Sequence, residues 1–227
     1  MSMFLRRAGT DVVLPGRSMR SRRITAAALC AAAFVPLSCS DEPAVEAAPS
    51  ELSVAAGDSW KGQALADFKL IERSGREVTL ADLRGRPALI DFIFTTCSGP
   101  CPMMSGRMQE LQGELAGVDA RFVSFTVDPE TDTPEVLRAY AARFGADAER
   151  WWFLTGAEEQ IDAVMASIWL ARAENASAPN GMQVSHSTRF IALDARGAVR
   201  GYYDGDTAQG VRLAAARVRW LAEHLDQ

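Results

Sequence analysis

The stretch TTCSGPCPMM, residues 95–104, holds two cysteines separated by three residues, Cys97 and Cys101, with Pro102 directly after the second. The spacing is one residue longer than the C-x-x-C of dithiol oxidoreductases. Two thiols so placed could close a structural disulfide, exchange disulfides with a partner, or hold a soft metal ion. The thiolate is the reactive form in exchange and the ligating form towards a metal. A structural disulfide is the weakest of these readings, because so short a clip closes too small a loop to restrain the unfolded chain much.

The residues on either side say how the pair is carried. Ahead of it, PALIDFIFTT has a nearly unbroken apolar run of Ala88, Leu89, Ile90, Phe92, Ile93 and Phe94. Such a run is the pattern of a strand covered on both faces, in the middle of an α/β sheet. Behind it, Met104, Met108, Leu111 and Leu115 fall on one face of a helix. The pair therefore sits where a buried strand gives way to a helix, the ligand-facing edge of an α/β sheet. With Cys97 on the first turn, Cys101 would stand one turn on, with Cβ atoms roughly 5–6 Å apart. The helix N-terminus favours thiolates through its dipole and unpaired N–H groups. Met103 and Met104 are soft donors as well, but read as helix core packing.

A metal would need a further donor. Zinc calls for four ligands, commonly more Cys or His, and beyond residue 39 the chain offers only His186 and His224. His224 falls in the last turn of a terminal helix, where a cation complements the dipole. His186, in MQVSHSTRF, precedes the first strand of a closing hairpin. Alone, such a histidine is more often a surface or hydrogen-bonded residue. Beside the cysteine pair it completes a soft three-donor set that suits Cu(I). Met182, four residues earlier, is a weaker candidate for a copper contact. A peroxidase of the peroxiredoxin type would want Thr three residues before its reactive cysteine, and that position is Phe94.

The N-terminus reads as an export signal rather than as fold. RSMRSRR is basic, residues 24–38 are apolar and small, and Cys39 follows at the head of a polar segment. The apolar run is shorter than the about 20 residues of a membrane-spanning helix. Cys39 stands where a bacterial lipoprotein carries its lipidated cysteine, although Pro36 occupies the usual leucine position. Residues 1–38 are thus expected to be a signal peptide of the lipoprotein type, 39–58 a flexible tether rich in Ala, Glu, Pro and Ser, and 59–227 the folded domain. The formal net charge is -5. Loss of the signal removes six arginines and Asp11 and leaves about -10. With no basic block in the second half of the chain, a nucleic-acid partner is not expected. Two cysteines in the domain are too few for a disulfide scaffold, and an exported location permits a disulfide between them.

Along the domain, short apolar runs around Ser74–Gly75 predict a hairpin leading into a helical turn at Leu80–Leu83. RFVSFTV predicts a second buried strand. Thr133 as N-cap, Pro134 in the first turn and Gly145 at the end bound a helix. WWFLTG predicts a strand, AEEQIDAVMASIWL a helix, and TRFIALDARGAVRGYYDG a hairpin turning at Ala195–Gly197. A terminal amphipathic helix follows. Strands alternating with helices and closing on a hairpin make a mixed α/β sheet. The expected class is α/β, a thioredoxin-like fold with an extra N-terminal β-hairpin and a loop insertion before the C-terminal β-hairpin.

DFIFTTCSGPCP (91–102), TVDPETDTPEVLRAY (126–140), FLTG (153–156) and SHSTRFIALDARG (185–197) together resemble the Sco/SenC family of thioredoxin-like copper chaperones. The resemblance spans most of residues 64–225, and C-x-x-x-C-P joined to V-D-P-E-x-D-T-P is a specific combination. It implies that Cys97, Cys101 and His186 are copper ligands. It also implies that Asp128, in the V-D-P element, helps shape the site without binding the metal; a turn or capping role is its plain alternative. The function implied is copper delivery to the binuclear site of the copper-containing subunit of cytochrome c oxidase, by a protein held to a membrane through a lipid on Cys39, on the periplasmic side. The alternative is a thiol-disulfide oxidoreductase, in which Cys97 and Cys101 reduce the cysteines of an exported partner. His186 separates the two, since exchange does not require it.

Overall fold

The computed structural model of the chain describes residues 62–168 and 188–225. The expected signal and tether, Cys39, Met182, His186 and the loop insertion lie outside the described residues.

Chain order begins with a hairpin of β1 (Lys69–Glu72) and β2 (Glu77–Thr79), then a single turn, α1 (Leu80–Leu83). Gly75 makes the hairpin turn with a φ of 90°, a left-handed conformation open to glycine at no steric cost. Next come β3 (Ala88–Ile93), α2 (Pro100–Glu114), β4 (Arg121–Thr126), α3 (Pro134–Arg143), β5 (Trp151–Thr155) and α4 (Glu158–Ser167). The closing part is β6 (Arg189–Leu193), β7 (Val199–Asp204) and α5 (Ala208–Glu223).

One seven-stranded sheet runs in the order β2-β1-β5-β4-β3-β6-β7. β3, β4 and β5 are parallel, with Ala88 opposite Arg121 and Phe122 opposite Trp151; the outer pairings are antiparallel. All residues of β3, β4 and β5 are buried, as their largely apolar patterns suggest. Side chains alternate across the sheet. Leu89, Ile93, Phe122 and Phe153 pack on one face against α2, α3 and α5. Ile90, Phe92, Val123 and Phe125 pack on the other against α1, α4 and the segment carrying Leu65 and Phe68.

The local stop signals act as their chemistry predicts. The Thr133 side chain accepts from the Val136 amide at the start of α3, and Gly145, with a φ of 56°, lies just past its end. α2 starts earlier than the periodic run PMMSGRMQELQGEL alone suggests. Pro100 opens it, since a fixed φ and a missing N–H suit the first helical position. The thioredoxin-like sheet thus carries the expected N-terminal hairpin β1–β2 and C-terminal hairpin β6–β7.

Candidate functional site

Between Ile93 and Pro100 the chain leaves the sheet and turns into α2, and the first thiol lies in that turn. Cys97 is held there by its own amide, which donates to the Phe94 carbonyl at 3.2 Å. Gly99 is the N-cap, so Cys97 precedes the helix instead of standing on its first turn, while Cys101 lies within that turn. The two still meet. The Cys101 N–H points at Cys97 Sγ, at 3.5 Å, so the sulfur satisfies one of the amide donors that a helix start leaves without a carbonyl partner. Both thiols are free, and both are nearly closed to solvent, 8% and 5% exposed.

Burial has a chemical consequence at Cys101. Loss of water pushes its thiol up to about 12, and the neighbouring Cys97 sulfur and Asp91 add to the shift; a hydrogen bond with the Phe94 backbone opposes it. Activation by the helix N-terminus, expected from the sequence, is outweighed at Cys101 by desolvation. A bound cation reverses that balance, because a coordinated thiol is deprotonated outright.

The turn that carries Cys97 is fastened by a residue the sequence reading passed over. Asp132, fully buried between β4 and α3, accepts from the Thr95 amide at 3.1 Å, from the Thr95 hydroxyl and from the Thr126 hydroxyl. Thr95 stands two residues before Cys97, so the Asp132 carboxylate ties the cysteine turn to the loop after β4. Burial pushes its carboxyl up, and the three donors offset part of that cost. The available signal was the second aspartate of DPETDTP, next to the N-cap Thr133. Asp128, the acid singled out from sequence, makes the contacts of a turn residue. Its carboxylate accepts from the Thr131 amide at 3.3 Å, its amide donates to the Thr126 hydroxyl, and its carbonyl accepts from the Asp132 amide.

Asp91 is a second acid missed in sequence, hidden in the apolar run of β3. It lies on the same sheet face as Leu89 and Ile93, the face that packs with both cysteines. It is fully buried, and neither carboxylate oxygen has a hydrogen-bond partner among the described residues. Ser124, its register partner on β4, does not reach hydrogen-bond geometry and offsets only part of the cost; burial pushes the carboxyl up to about 7. The sign follows. A carboxyl raised in the folded state stabilises the protein in full below the unfolded value near 4 and loses that contribution as pH rises through about 7. Between pH 5 and 8 the loss is about 2–3 kcal/mol. Urea unfolding of the reduced, metal-free chain should therefore show wild type losing that much relative to Asp91→Asn over this interval. Parallel pH profiles for the two proteins would contradict the assignment.

The remaining candidates fall in different places. Met104 is core, 2% exposed, but Met103 is not: at 38% it is an exposed apolar side chain beside the site, which corrects the expectation that both methionines pack inside. His224 caps the terminal helix, with Nδ1 2.7 Å from the Trp220 carbonyl oxygen and its ring stacked on Trp220. Among the described residues, no set of three His, Cys, Asp or Glu side chains comes together as a metal cluster; the expected third donor, His186, lies outside them.

Comparison with known proteins matches the SCO1/SenC family over residues 57–223. The SCO1 protein homolog of Bacillus subtilis is 35% identical over 142 residues, 61% of this chain and 72% of that protein. A putative copper-binding protein of Stutzerimonas stutzeri is 27% identical, over 62% of this chain and 69% of its own length. Among solved structures, a SCO1/SenC family lipoprotein from Bacillus anthracis is 31% identical with a TM-score of 0.64, covering 71% of this chain and 96% of that one. BsSco, described as a Sco-family cytochrome c oxidase assembly protein with a disulfide switch, is also 31% identical, with a TM-score of 0.62, covering 71% of this chain and 94% of that one.

Proposed function

Since the chain belongs to the SCO1/SenC family, we propose that it binds copper through Cys97, Cys101 and His186 and delivers it to the copper-containing subunit of cytochrome c oxidase. The observation that carries this reading is the thiol pair. Two free cysteines stand at the end of a buried parallel strand, one sulfur against the other's amide. Together with an imidazole they form a soft three-donor set suited to Cu(I). The relative in Stutzerimonas stutzeri described as a putative copper-binding protein supports copper as the cargo, and the oxidase-assembly role given to BsSco supports the oxidase as its destination. The reading includes export and a lipid anchor at Cys39, supported by the signal-like N-terminus and by the lipoprotein from Bacillus anthracis. No helix among the described residues is long and apolar enough to cross a membrane. Asp128, in this reading, shapes the loop beside the metal from its turn.

Titration of the reduced chain with Cu(I) tests the proposal, which requires about one tightly held ion per chain.

A second reading, thiol-disulfide exchange, is favoured by the same free thiols and by the disulfide switch described for BsSco. Here Cys97, in the turn before the helix, is the attacking group, and Cys101, in the first turn, resolves the mixed disulfide. The Cys97 thiolate attacks a partner disulfide, the partner S–S bond breaks, and one partner thiolate leaves and takes up a proton. Cys101 then displaces the second partner sulfur as it gives up its proton. The partner gains two electrons as a dithiol, and Cys97–Cys101 is left as the disulfide. Both readings are compatible, since reduced acceptor cysteines are the form that receives copper.

A further inference from the structure

At the other end of the sheet from the thiols, an open cleft of about 720 Å³ is walled by Arg73, Arg76, Arg121, Arg138 and Trp152. The register places it: Arg121 pairs with Ala88, the first residue of β3, whereas Cys97 follows the last. Arg121 is only 8% exposed, and its guanidinium stacks on the Trp152 ring at 3.4 Å. Stacking engages a face of the group and neutralises none of its charge. Its Nε and Nη1, like Nη1 of Arg73, meet no acceptor among the described residues. A second guanidinium, Arg76, lies over the same ring at 4.7 Å.

The acids lining the cleft do not cancel these charges. Glu72 is committed to the Ser74 amide at 2.7 Å and to Arg73 at 3.6 Å. Asp82 is committed to the Thr79 amide and hydroxyl and reaches Arg76 only at 3.9 Å. Glu149 stands exposed at the rim. Burial, reinforced by repulsion from Arg86 and Arg76, lowers the Arg121 guanidinium to about 10, and the charges of Asp119 and Asp82 offset only part of this. A buried charge with no acceptor on two of its donors is costly, and clustered guanidiniums supply the planar donor geometry that phosphate oxygens match.

We propose that this cleft binds a phosphate-class oxyanion, held by Arg121 and Arg76 with Arg73 and Arg138 beside them. A free phosphate and a phospholipid headgroup share that chemistry. The site is independent of the cysteines and of copper. Isothermal titration of the full chain with inorganic phosphate, and separately with glycerol 3-phosphate as the soluble form of a headgroup, tests it at ionic strength fixed with chloride. The expected result is saturable binding that weakens about tenfold in Arg76→Gln and is lost in Arg121→Gln. Tighter binding of glycerol 3-phosphate identifies a headgroup site, and equal or weaker binding a free-phosphate site; both support the proposal. Arg76 is an exposed side chain whose replacement leaves the core intact, so its variant reads binding without a folding defect. No binding of either ligand by wild type, or unchanged affinity in Arg76→Gln, would overturn it.

Discussion

Replacing either Cys97 or Cys101 by alanine is expected to abolish tight Cu(I) binding, with a loss on the order of a thousandfold or more, about 4 kcal/mol. The thiolates are the soft, anionic part of the proposed donor set, and no other cysteine lies within the domain beyond residue 58. A single remaining sulfur with one imidazole leaves an ion two-coordinate and incompletely neutralised. Cys97 and Cys101 are both part of the core that includes Met104 and Phe190, so near-ultraviolet circular dichroism should accompany both variants. Competition against a chromogenic Cu(I) chelator measures the loss. Cu(I) held as tightly by Cys97→Ala as by wild type would remove the pair from the site.

Asp132→Ala should be the most damaging substitution outside the cysteines. It orphans three donors together: the Thr95 amide, the Thr95 hydroxyl and the buried Thr126 hydroxyl. Each unsatisfied group costs about 1–3 kcal/mol, and partial access of water on the Thr95 side brings the sum to about 3–4 kcal/mol of unfolding free energy. Because Thr95 anchors the turn of Cys97, the same substitution should weaken Cu(I) binding in whatever fraction remains folded. Asp132→Asn retains one acceptor and should fall between. Chemical denaturation with a parallel Cu(I) competition checks both effects. A loss of less than about 1 kcal/mol would mean that the carboxylate does not fasten the turn.

The parts of this molecule legible in sequence are those fixed by local chemistry. β3, β4 and β5 announce themselves because burial on both faces writes mostly apolar runs. α3 is bounded by Thr133, Pro134 and Gly145, each acting within a turn of itself. The cysteine pair stands out by spacing alone. What stayed hidden depends on residues far apart. Asp132 looks like a turn residue until Thr95, remote in sequence, is folded against it. Asp91 is surrounded by apolar neighbours, and a charge inside such a strand was the clue that the run itself obscured. Cys97 left the helix because Gly99 caps it and Pro100 starts it, a local signal that competed with the periodicity of the methionines and leucines behind. Met103 differs from Met104 only in which way a helix turn points it.

Copper carriage, as distinct from thiol exchange alone, turns on the third donor. Cu(I) affinity and insulin-type disulfide reduction should be measured side by side for wild type, Cys97→Ala and His186→Ala. If His186 is a ligand, His186→Ala weakens Cu(I) binding strongly, on the order of a hundredfold, and leaves disulfide reduction intact, while Cys97→Ala loses both. Wild-type Cu(I) affinity in His186→Ala, with reduction still lost in Cys97→Ala, would contradict the copper site and leave a thiol-disulfide reductase.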